Sequence, residues 1–213
     1  MTFSIIGIDK KRKEIGIACF SKFIGVGGVV PEVKFNFGAI ATQSYANSNY
    51  KIEGINLIKK FNPQKVINKL TNKDKSKEIR QVIIMNSKGE SAGFTGKDNV
   101  FWAGHLSGKD FICAGNMLIR EKVLNNIKKS FENSKGDLSE RLIKSLLAGE
   151  KAGGDKRNRK FGSAALIIEK KNYGFLGIGN RYIDLRVDYS KNAIRDLKEL
   201  LKIKLKLLKK YGK

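Results

Sequence analysis

The first strands predicted in this chain are apolar on both faces, and this pattern constrains the fold more than any other feature of the sequence. Residues 2–8 and 15–22 are rich in β-branched side chains, and the polar residues 10–13 between them predict a hairpin turn. A strand with one face in water alternates apolar and polar side chains, whereas a strand packed on both sides need not alternate. We therefore expect the sheet that contains this hairpin to be covered on both faces.

The other predicted elements come in groups of strands separated by pairs of helices. Further strands are predicted over residues 25–31, 35–43, 81–85, 91–95, 111–117, 163–169 and 182–187. Helices are predicted over residues 50–61, 64–70, 121–131, 138–148 and 191–209. Pro63 is expected in the first turn of the second helix, and Asp137 is expected to cap the fourth.

This order of elements predicts the fold class. Strand groups separated by helix pairs argue against a doubly wound parallel sheet, in which strands and helices alternate strictly. Two mainly antiparallel sheets stacked face to face, with helices on both outer faces, would bury every apolar face. The prediction is an α/β four-layer αββα sandwich. Since the chain has 213 residues, below the roughly 250 at which chains usually divide, residues 1–213 are expected to form a single domain.

The charge of the chain suggests anionic partners without identifying one. Lys and Arg number 43 against 20 Asp and Glu, for a formal net charge of +23. Lysines outnumber arginines 34 to 9 and are scattered along the chain. Proteins that read nucleic acid sequence favour the bidentate guanidinium of arginine. Binding to nucleic acid is therefore expected to be nonspecific, if it occurs at all.

Several functional classes are not supported by the sequence. No apolar run approaches the roughly 18 residues of a membrane span, and Asp9 comes too early for a signal peptide, so we expect a cytoplasmic protein without a membrane partner. Cys19, Cys113 and the single histidine, His105, lie far apart, so a disulfide framework or a zinc site is not expected. The glycines of residues 25–28 lack the spacing of a dinucleotide-binding loop. We expect no cofactor and no metal.

Nine short strings along the chain point to one family. They are MTFSI at 1–5, SKF at 21–23, GAIATQ at 38–43, RQV at 80–82, WAGH at 102–105, GN at 115–116, GGDKR at 153–157, SAAL at 163–166 and DLRVD at 184–188. In this order and spacing the chain resembles an uncharacterised family, domain of unknown function 1028, placed in the N-terminal-nucleophile (Ntn) hydrolase superfamily. The resemblance covers nearly the whole chain and implies the same αββα fold.

The resemblance implies a nucleophile at the start of the first strand. In this superfamily the nucleophile is a Thr, Ser or Cys at the mature N-terminus, which here is Thr2 after removal of Met1. A free α-amine has a pKa of about 7.7–8.0 and can accept the hydroxyl proton of the same residue. The structural alternative is that Thr2 is a β-branched residue that begins a strand.

The resemblance also implies further site residues. The places that match catalytic positions of better-known members are Lys22, Asn116, Asp155 and Ser163. A cation beside the nucleophile would lower the amine pKa and stabilise a developing alkoxide. Lys22 could instead be a surface residue, and Asn116 could cap the following helix.

Other residues are candidates for substrate binding. Backbone N–H groups near Gly38 and Ala39 could form an oxyanion hole, because glycine lets backbone approach a substrate closely. Polar side chains after a strand could orient the substrate, and the competing interpretation is a helix N-terminal turn. These side chains are Gln43, Tyr45 and Asn47. Arg157 could hold a substrate carboxylate or pair with Asp155, and Trp102 and His105 are more typical of structural residues.

Two hypotheses of different classes follow. The first is an amidohydrolase in which Thr2 cleaves a small-molecule or peptide-like amide through an acyl ester. The second is a catalytically silent protein of the same fold that binds or assembles with partners, including anionic ones. The sequence leaves open whether the chain forms a homo-oligomer.

Overall fold

The computed structural model describes residues 2–154 and 160–211, which form ten strands and six α-helices. The strands are β1 (Thr2–Asp9), β2 (Glu14–Ser21), β3 (Pro31–Lys34), β4 (Gly38–Ser44), β5 (Arg80–Asn86), β6 (Ser91–Thr95), β7 (Trp102–Gly108), β8 (Phe111–Leu118), β9 (Gly162–Lys170) and β10 (Arg181–Ser190). The helices are α1 (Val26–Val29), α2 (Ser48–Leu57), α3 (Pro63–Thr71), α4 (Lys122–Asn133), α5 (Leu138–Lys151) and α6 (Ala193–Tyr211).

The strands form two sheets in which every neighbouring pair is antiparallel. The larger sheet has the order β10-β9-β2-β1-β8-β7, and the smaller has the order β3-β4-β5-β6. The predicted mixed α/β class with two antiparallel sheets is confirmed. In the larger sheet β1 is central, with hydrogen-bonded neighbours on both sides.

The buried side chains lie in three clusters, which explain why the strands do not alternate with polar residues. On β1, Phe3 and Ile5 belong to the cluster that includes side chains of α4, α5 and α6, whereas Ile6 and Ile8 belong to the cluster between the two sheets. The outer face of the smaller sheet, including Ile40 on β4, packs against α2 and α3. The hairpin of β1 and β2 is therefore covered on both faces, as its apolar pattern predicts.

Two local predictions are wrong, and one strand was missed. Residues 25–31 are not a strand: Gly25 takes a left-handed φ of 65° and begins the short helix α1, and strand pairing starts only at Pro31. Strand β7 was not predicted, because apart from Trp102 and Leu106 its residues are small or polar, and none of them is buried. Pro63 is in the first turn of α3 as predicted. The predicted cap is wrong: Asp137 is at the N-cap position of α5, but its side chain makes no cap hydrogen bond and instead pairs with Arg12 at 3.3 Å.

The longest helix, α6, is amphipathic. Ile194, Leu197 and Leu201 are buried against the larger sheet, while the lysines near its end are exposed. Of the helices in residues 2–154 and 160–211, none combines the length and apolar character needed to cross a membrane.

A substitution at Gly16 reports how tightly the helix-facing side of β2 is packed. A Cβ at Gly16 would lie 2.8 Å from the carbonyl oxygen of Ile167 and 3.2 Å from Cδ1 of Leu142, and it would overlap Ile168. Overpacking of this kind costs about 1–3 kcal/mol. We expect Gly16→Ala to lower the free energy of unfolding by this amount in urea titrations. Gly28→Ala is the control, since nothing lies within 4 Å of its Cβ position, and an equal loss there would contradict the prediction.

Candidate functional site

A cavity of about 400 Å³ opens beside the first residue of β1. It lies where the start of β1 meets the ends of β2, β4 and β8, with α1 along one wall. The lining residues are Thr2, Ser21, Phe23, Val26, Val29, Val30, Gln43, Ser44, Tyr45, Ala46, Asn116 and Met117. Its volume is within the usual range of small-molecule sites, about 300–1,000 Å³.

A row of four polar side chains crosses the larger sheet at the edge of this cavity. In the strand register Thr2 is opposite Asn116 of β8 on one side and Ser21 of β2 on the other. Ser21 is in turn opposite Ser163 of β9. Residues directly opposite each other in a sheet project from the same face. The register therefore places Asn116, Thr2, Ser21 and Ser163 side by side, facing the smaller sheet.

Thr2 is held at each of its polar atoms. Its backbone N–H donates to Oδ1 of Asn116 at 3.2 Å, and its hydroxyl donates to Oγ of Ser21 at 3.1 Å. Its carbonyl oxygen lies 3.5 Å from Nε2 of Gln43. The side chain is buried, with 8% of the residue exposed, and it lines the cavity. The nitrogen and the hydroxyl of Thr2 thus have fixed directions.

A second polar row, in the smaller sheet, faces the first. Gln43, Gln81 and Thr95 are opposite one another on β4, β5 and β6. Gln43 Nε2 donates to Oε1 of Gln81 at 2.7 Å, and Ser4 donates to Oε1 of Gln43 at 2.7 Å. The two sheets are therefore joined by side-chain amides at this end of the molecule.

The orientation of Asn116 follows from that of Gln81. Nε2 of Gln81 lies 3.0 Å from the carbonyl oxygens of both Gly104 and Gly115, so this end of the amide must be the donor. Oε1 of Gln81 then faces Nδ2 of Asn116 at 3.1 Å, which leaves Oδ1 of Asn116 to accept from Thr2. Gln81 thereby determines which side-chain atom of Asn116 faces the nitrogen of Thr2.

Ser163 lies outside the cavity lining and supports one of its walls. Its hydroxyl donates to the carbonyl oxygen of Phe23 and accepts from the N–H of Val26 at 3.0 Å. Ser21 Oγ also accepts from the N–H of Phe23, at 3.1 Å. The two serines therefore hold the turn that carries Phe23 and Val26 into the cavity. Asp155 and Arg157, also predicted as site residues, lie outside the described residues.

Lys22 does not line the cavity. Lys22 is the first residue after β2 and follows Ser21, whose side chain points towards the smaller sheet. The ammonium of Lys22 lies 6.0 Å from the ring centroid of Phe20, a residue of the cluster packed against the helices. The structure therefore does not bring this cation to Thr2.

Gly38 and Ala39 are also distant from Thr2. They pair with Asn86 and Met85 at the start of β4, whereas Gln43 is near its end. At about 3.3 Å per residue, five residues of strand separate Gly38 from Gln43 by roughly 16 Å. The backbone of these two residues therefore cannot form an oxyanion hole at this cavity.

Tyr45 lines the cavity mouth, and Asn47 does not. The Asn47 side chain accepts from the N–H of Asn49 and caps α2, which agrees with the alternative interpretation of a helix N-terminal turn. Its Nδ2 donates to Oδ2 of Asp74 at 3.1 Å. Arg80 donates both to Asp74 and, at 2.6 Å, to the carbonyl oxygen of Tyr45. Asp74 and Arg80 thus fix the backbone at the cavity mouth.

Sequence reasoning missed two residues of the site, Ser21 and Gln81. Both are polar side chains at the end of an otherwise apolar strand, and both are buried. A buried polar group requires a hydrogen-bond partner, so polar residues within apolar strands were the available signal.

His105 and Trp102 lie on β7, away from Thr2. Nδ1 of His105 is 2.9 Å from Oγ1 of Thr95, at the far end of the second polar row. The Trp102 ring packs beside Gly104. Within residues 2–154 and 160–211 there is no cluster of three or more His, Cys, Asp or Glu side chains that could hold a metal ion.

Comparison with known proteins identifies the family. A sequence model described as "Family of unknown function (DUF1028)" matches residues 2–197. The chain belongs to the DUF1028 family. A crystal structure of protein SPO2555 from Silicibacter pomeroyi, described as a DUF1028 protein, is similar, with 28% identity and a TM-score of 0.84. The match covers 94% of this chain and 88% of that one. No curated protein matches.

The nine strings that suggested the DUF1028 family include several residues around the cavity. Thr2, Ser21, Gln43, Gln81 and Asn116 each fall within one of them. Membership of the DUF1028 family is therefore confirmed, and the fold is that of a family for which no activity is recorded in its description.

The contribution of Asp74 to the stability of the protein depends on pH. Burial alone would raise the pKa of Asp74, but hydrogen bonds from Asn47, Ser76, Tyr50 and Arg80 outweigh this effect and lower the pKa to about 2. An aspartate in an unfolded chain has a pKa of about 3.9. A lowered pKa means that the contribution to stability is complete above about pH 4 and is lost as the pH falls towards 2.

We therefore expect Asp74→Asn to lower the free energy of unfolding at pH 7 by about 2 kcal/mol. The difference from the parent protein should shrink between about pH 4 and pH 2. Urea titrations of both proteins at several pH values measure this difference in the free energy of unfolding. The exposed Asp98→Asn is the matched control and should change little. A difference for Asp74→Asn that does not depend on pH would contradict the prediction.

Proposed function

We propose that this protein is an Ntn-type amidohydrolase in which Thr2, exposed by removal of Met1, cleaves the amide bond of a small-molecule or peptide-like substrate. The observation that carries the proposal is the position of Thr2: its nitrogen and hydroxyl are both oriented by neighbours and both lie at a cavity. A nucleophile and a base in one residue are the requirement of this chemistry.

The arrangement of layers supports the proposal. The helices α2 and α3, the smaller sheet, the larger sheet and the helices α4 to α6 pack in that order. This packing is consistent with the αββα order of the Ntn superfamily, in which the nucleophile begins a strand of the central layers. Because one fold can serve many activities, the arrangement supports the proposal only together with the Thr2 geometry.

The proposed first step forms an acyl ester on Thr2. The free α-amine accepts the hydroxyl proton while Oγ1 bonds to the amide carbon, and the proton then passes to the leaving nitrogen as the C–N bond breaks. Oδ1 of Asn116, which is oriented by Gln81, accepts from the backbone N–H of Thr2 in the structure and would accept an N–H of the free amine. The nitrogen lone pair can then be directed towards the hydroxyl.

The second step restores the enzyme. The same amine accepts a proton from water, whose oxygen attacks the ester carbon, and the ester C–O bond breaks to release the acid. Oγ1 takes back its proton from the amine. In this scheme Thr2 is the catalytic residue, and Asn116, Ser21, Gln81 and Ser163 are positioning residues.

The first test concerns processing. If Thr2 is the nucleophile, intact-mass analysis of protein isolated from its native cell should show a chain that begins at Thr2, because an acylated α-amine cannot accept the hydroxyl proton. Edman sequencing of the same sample provides an independent check. Complete retention of Met1 would contradict the proposal.

The second test removes the nucleophile. Thr2→Ala should lower the rate of ammonia release from a panel of primary amides by at least a hundredfold, while Thr2→Ser should retain measurable activity. The loss of one hydrogen bond to Ser21 should cost only about 1 kcal/mol of stability. Thr71→Ala removes a buried threonine hydroxyl on α3, away from the cavity, and should leave the rate unchanged. Equal rates for Thr2→Ala and the parent would place the chemistry elsewhere.

One observation favours the second hypothesis, a catalytically silent binding protein. None of the described residues that line the cavity is charged, so the cation expected beside an Ntn nucleophile is not among them. The same mass and rate measurements separate the two hypotheses, because a silent protein would hydrolyse no amide even when Thr2 is exposed. Nonspecific binding to nucleic acid and a cytoplasmic location stay predictions from the sequence.

A further inference from the structure

The two side-chain amides that line the Thr2 cavity, those of Asn116 and Gln43, are engaged with other groups of the protein. Both amide atoms of Asn116 have partners, Oδ1 with Thr2 and Nδ2 with Gln81. Both amide atoms of Gln43 also have partners, Oε1 with Ser4 and Nε2 with Gln81. A ligand that competed for these atoms would leave a buried amide unpaired at a cost of about 1–3 kcal/mol. These amides therefore orient Thr2 rather than recognise polar groups of a substrate.

The remaining surface of the cavity is mostly apolar. Val26, Val29 and Val30 come from α1 and the residue after it, and Met117 comes from the end of β8. Phe23 at the wall is 55% exposed and Tyr45 is 56% exposed. Exposed aromatic side chains at a cavity present apolar surface that a ligand can cover. Most of the contact available to a substrate is therefore with hydrocarbon, beside the hydroxyls of Ser21, Ser44 and Tyr45.

We propose that the cavity binds the uncharged, apolar acyl group of the amide substrate, an aliphatic chain or a single aromatic ring. This inference rests on the proposed function, because it places the acyl carbon at Thr2. Val26, Val29 and Val30 form what we call the valine wall. A charged acyl group would lose hydration against this wall, where no described lining residue offers an opposite charge. A neutral acyl group gains from the same burial.

The net charge of the protein predicts a different ligand preference from that of the cavity wall, so the two can be distinguished by experiment. With a formal charge of +23, the surface attracts anions in general. Electrostatic attraction alone would thus favour an anionic acyl group, whereas the valine wall favours a neutral one. The two effects predict opposite orders of binding for ligands of equal length.

Three amides of matched length test the inference: hexanamide, the monoamide of adipic acid, and 6-aminohexanamide. They carry a methyl group, a carboxylate and an ammonium at the distal end. Binding is measured by calorimetric titration into the Thr2→Ala protein, in which no turnover consumes the ligand. We expect hexanamide to bind at least tenfold more tightly than either charged amide. From propanamide to hexanamide, affinity should rise about fourfold for each added methylene, which corresponds to about 0.8 kcal/mol.

Variants of the wall locate the binding site. Val29→Asp should weaken hexanamide binding at least tenfold, and Val100→Asp, the same change at an exposed residue outside the cavity, should not. Val29→Leu, which keeps the wall apolar and is expected to fold, should shorten the longest chain that binds. Equal or tighter binding of the adipic monoamide, or equal effects of the two Asp variants in folded protein, would overturn the inference.

Turnover measurements separate this inference from the proposed function. Ammonia release by the mature protein is followed with the same three amides. Binding of hexanamide without turnover would support the acyl preference and contradict the hydrolase proposal. Turnover of the adipic monoamide in preference to hexanamide would support the hydrolase and overturn the acyl preference.

Discussion

The side-chain amide of Gln81 is the interaction on which the geometry of the site depends. Its Nε2 is oriented by the carbonyl oxygens of Gly104 and Gly115 in the larger sheet, although Gln81 itself belongs to the smaller sheet. Reversing the amide would set its oxygen against two carbonyl oxygens and leave buried groups unpaired. Its orientation then determines those of Asn116 and Gln43, and through them the surroundings of Thr2.

The cavity and the surface of the protein differ in electrostatic character. Lysines are distributed over the exposed surface, and several of them lie over aromatic rings or in ion pairs. The described lining of the Thr2 cavity is neutral. The positive surface would attract a ligand according to its net charge. The apolar cavity wall would select a ligand according to how much hydration the ligand loses on binding.

Much of the fold was predictable, since it depends on the distribution of apolar residues. The continuous apolar pattern of β1 and β2 correctly indicated a sheet covered on both sides. The segment that contains α1 was misassigned because Val26 and Val29 with two glycines give no helical periodicity in four residues. The site was only partly predictable. Thr2, Gln43, Tyr45 and Asn116 do line one cavity.

Some predicted site residues lie away from Thr2, and the reasons are geometric. Lys22 is adjacent to Ser21 in sequence, but it follows the end of β2, and its ammonium lies near the ring of Phe20, which belongs to the cluster packed against the helices. Gly38 is on the same strand as Gln43 but at its other end. The amide of Gln81 is oriented by carbonyl oxygens of β7 and β8. These hydrogen bonds depend on how the two sheets stack, and the sequence pattern of a single strand does not specify that stacking.

The central position of Thr2 in the larger sheet has a consequence for folding. Thr2 takes one partner from the adjacent hairpin strand, 19 residues away, and the other from β8, 114 residues away. Contacts of such long sequence separation form slowly, because a large loop must be closed before they contribute. The hairpin alone cannot orient the nitrogen of Thr2. The site should therefore be completed late in folding, and its hydrogen-exchange protection should follow global unfolding rather than local fraying.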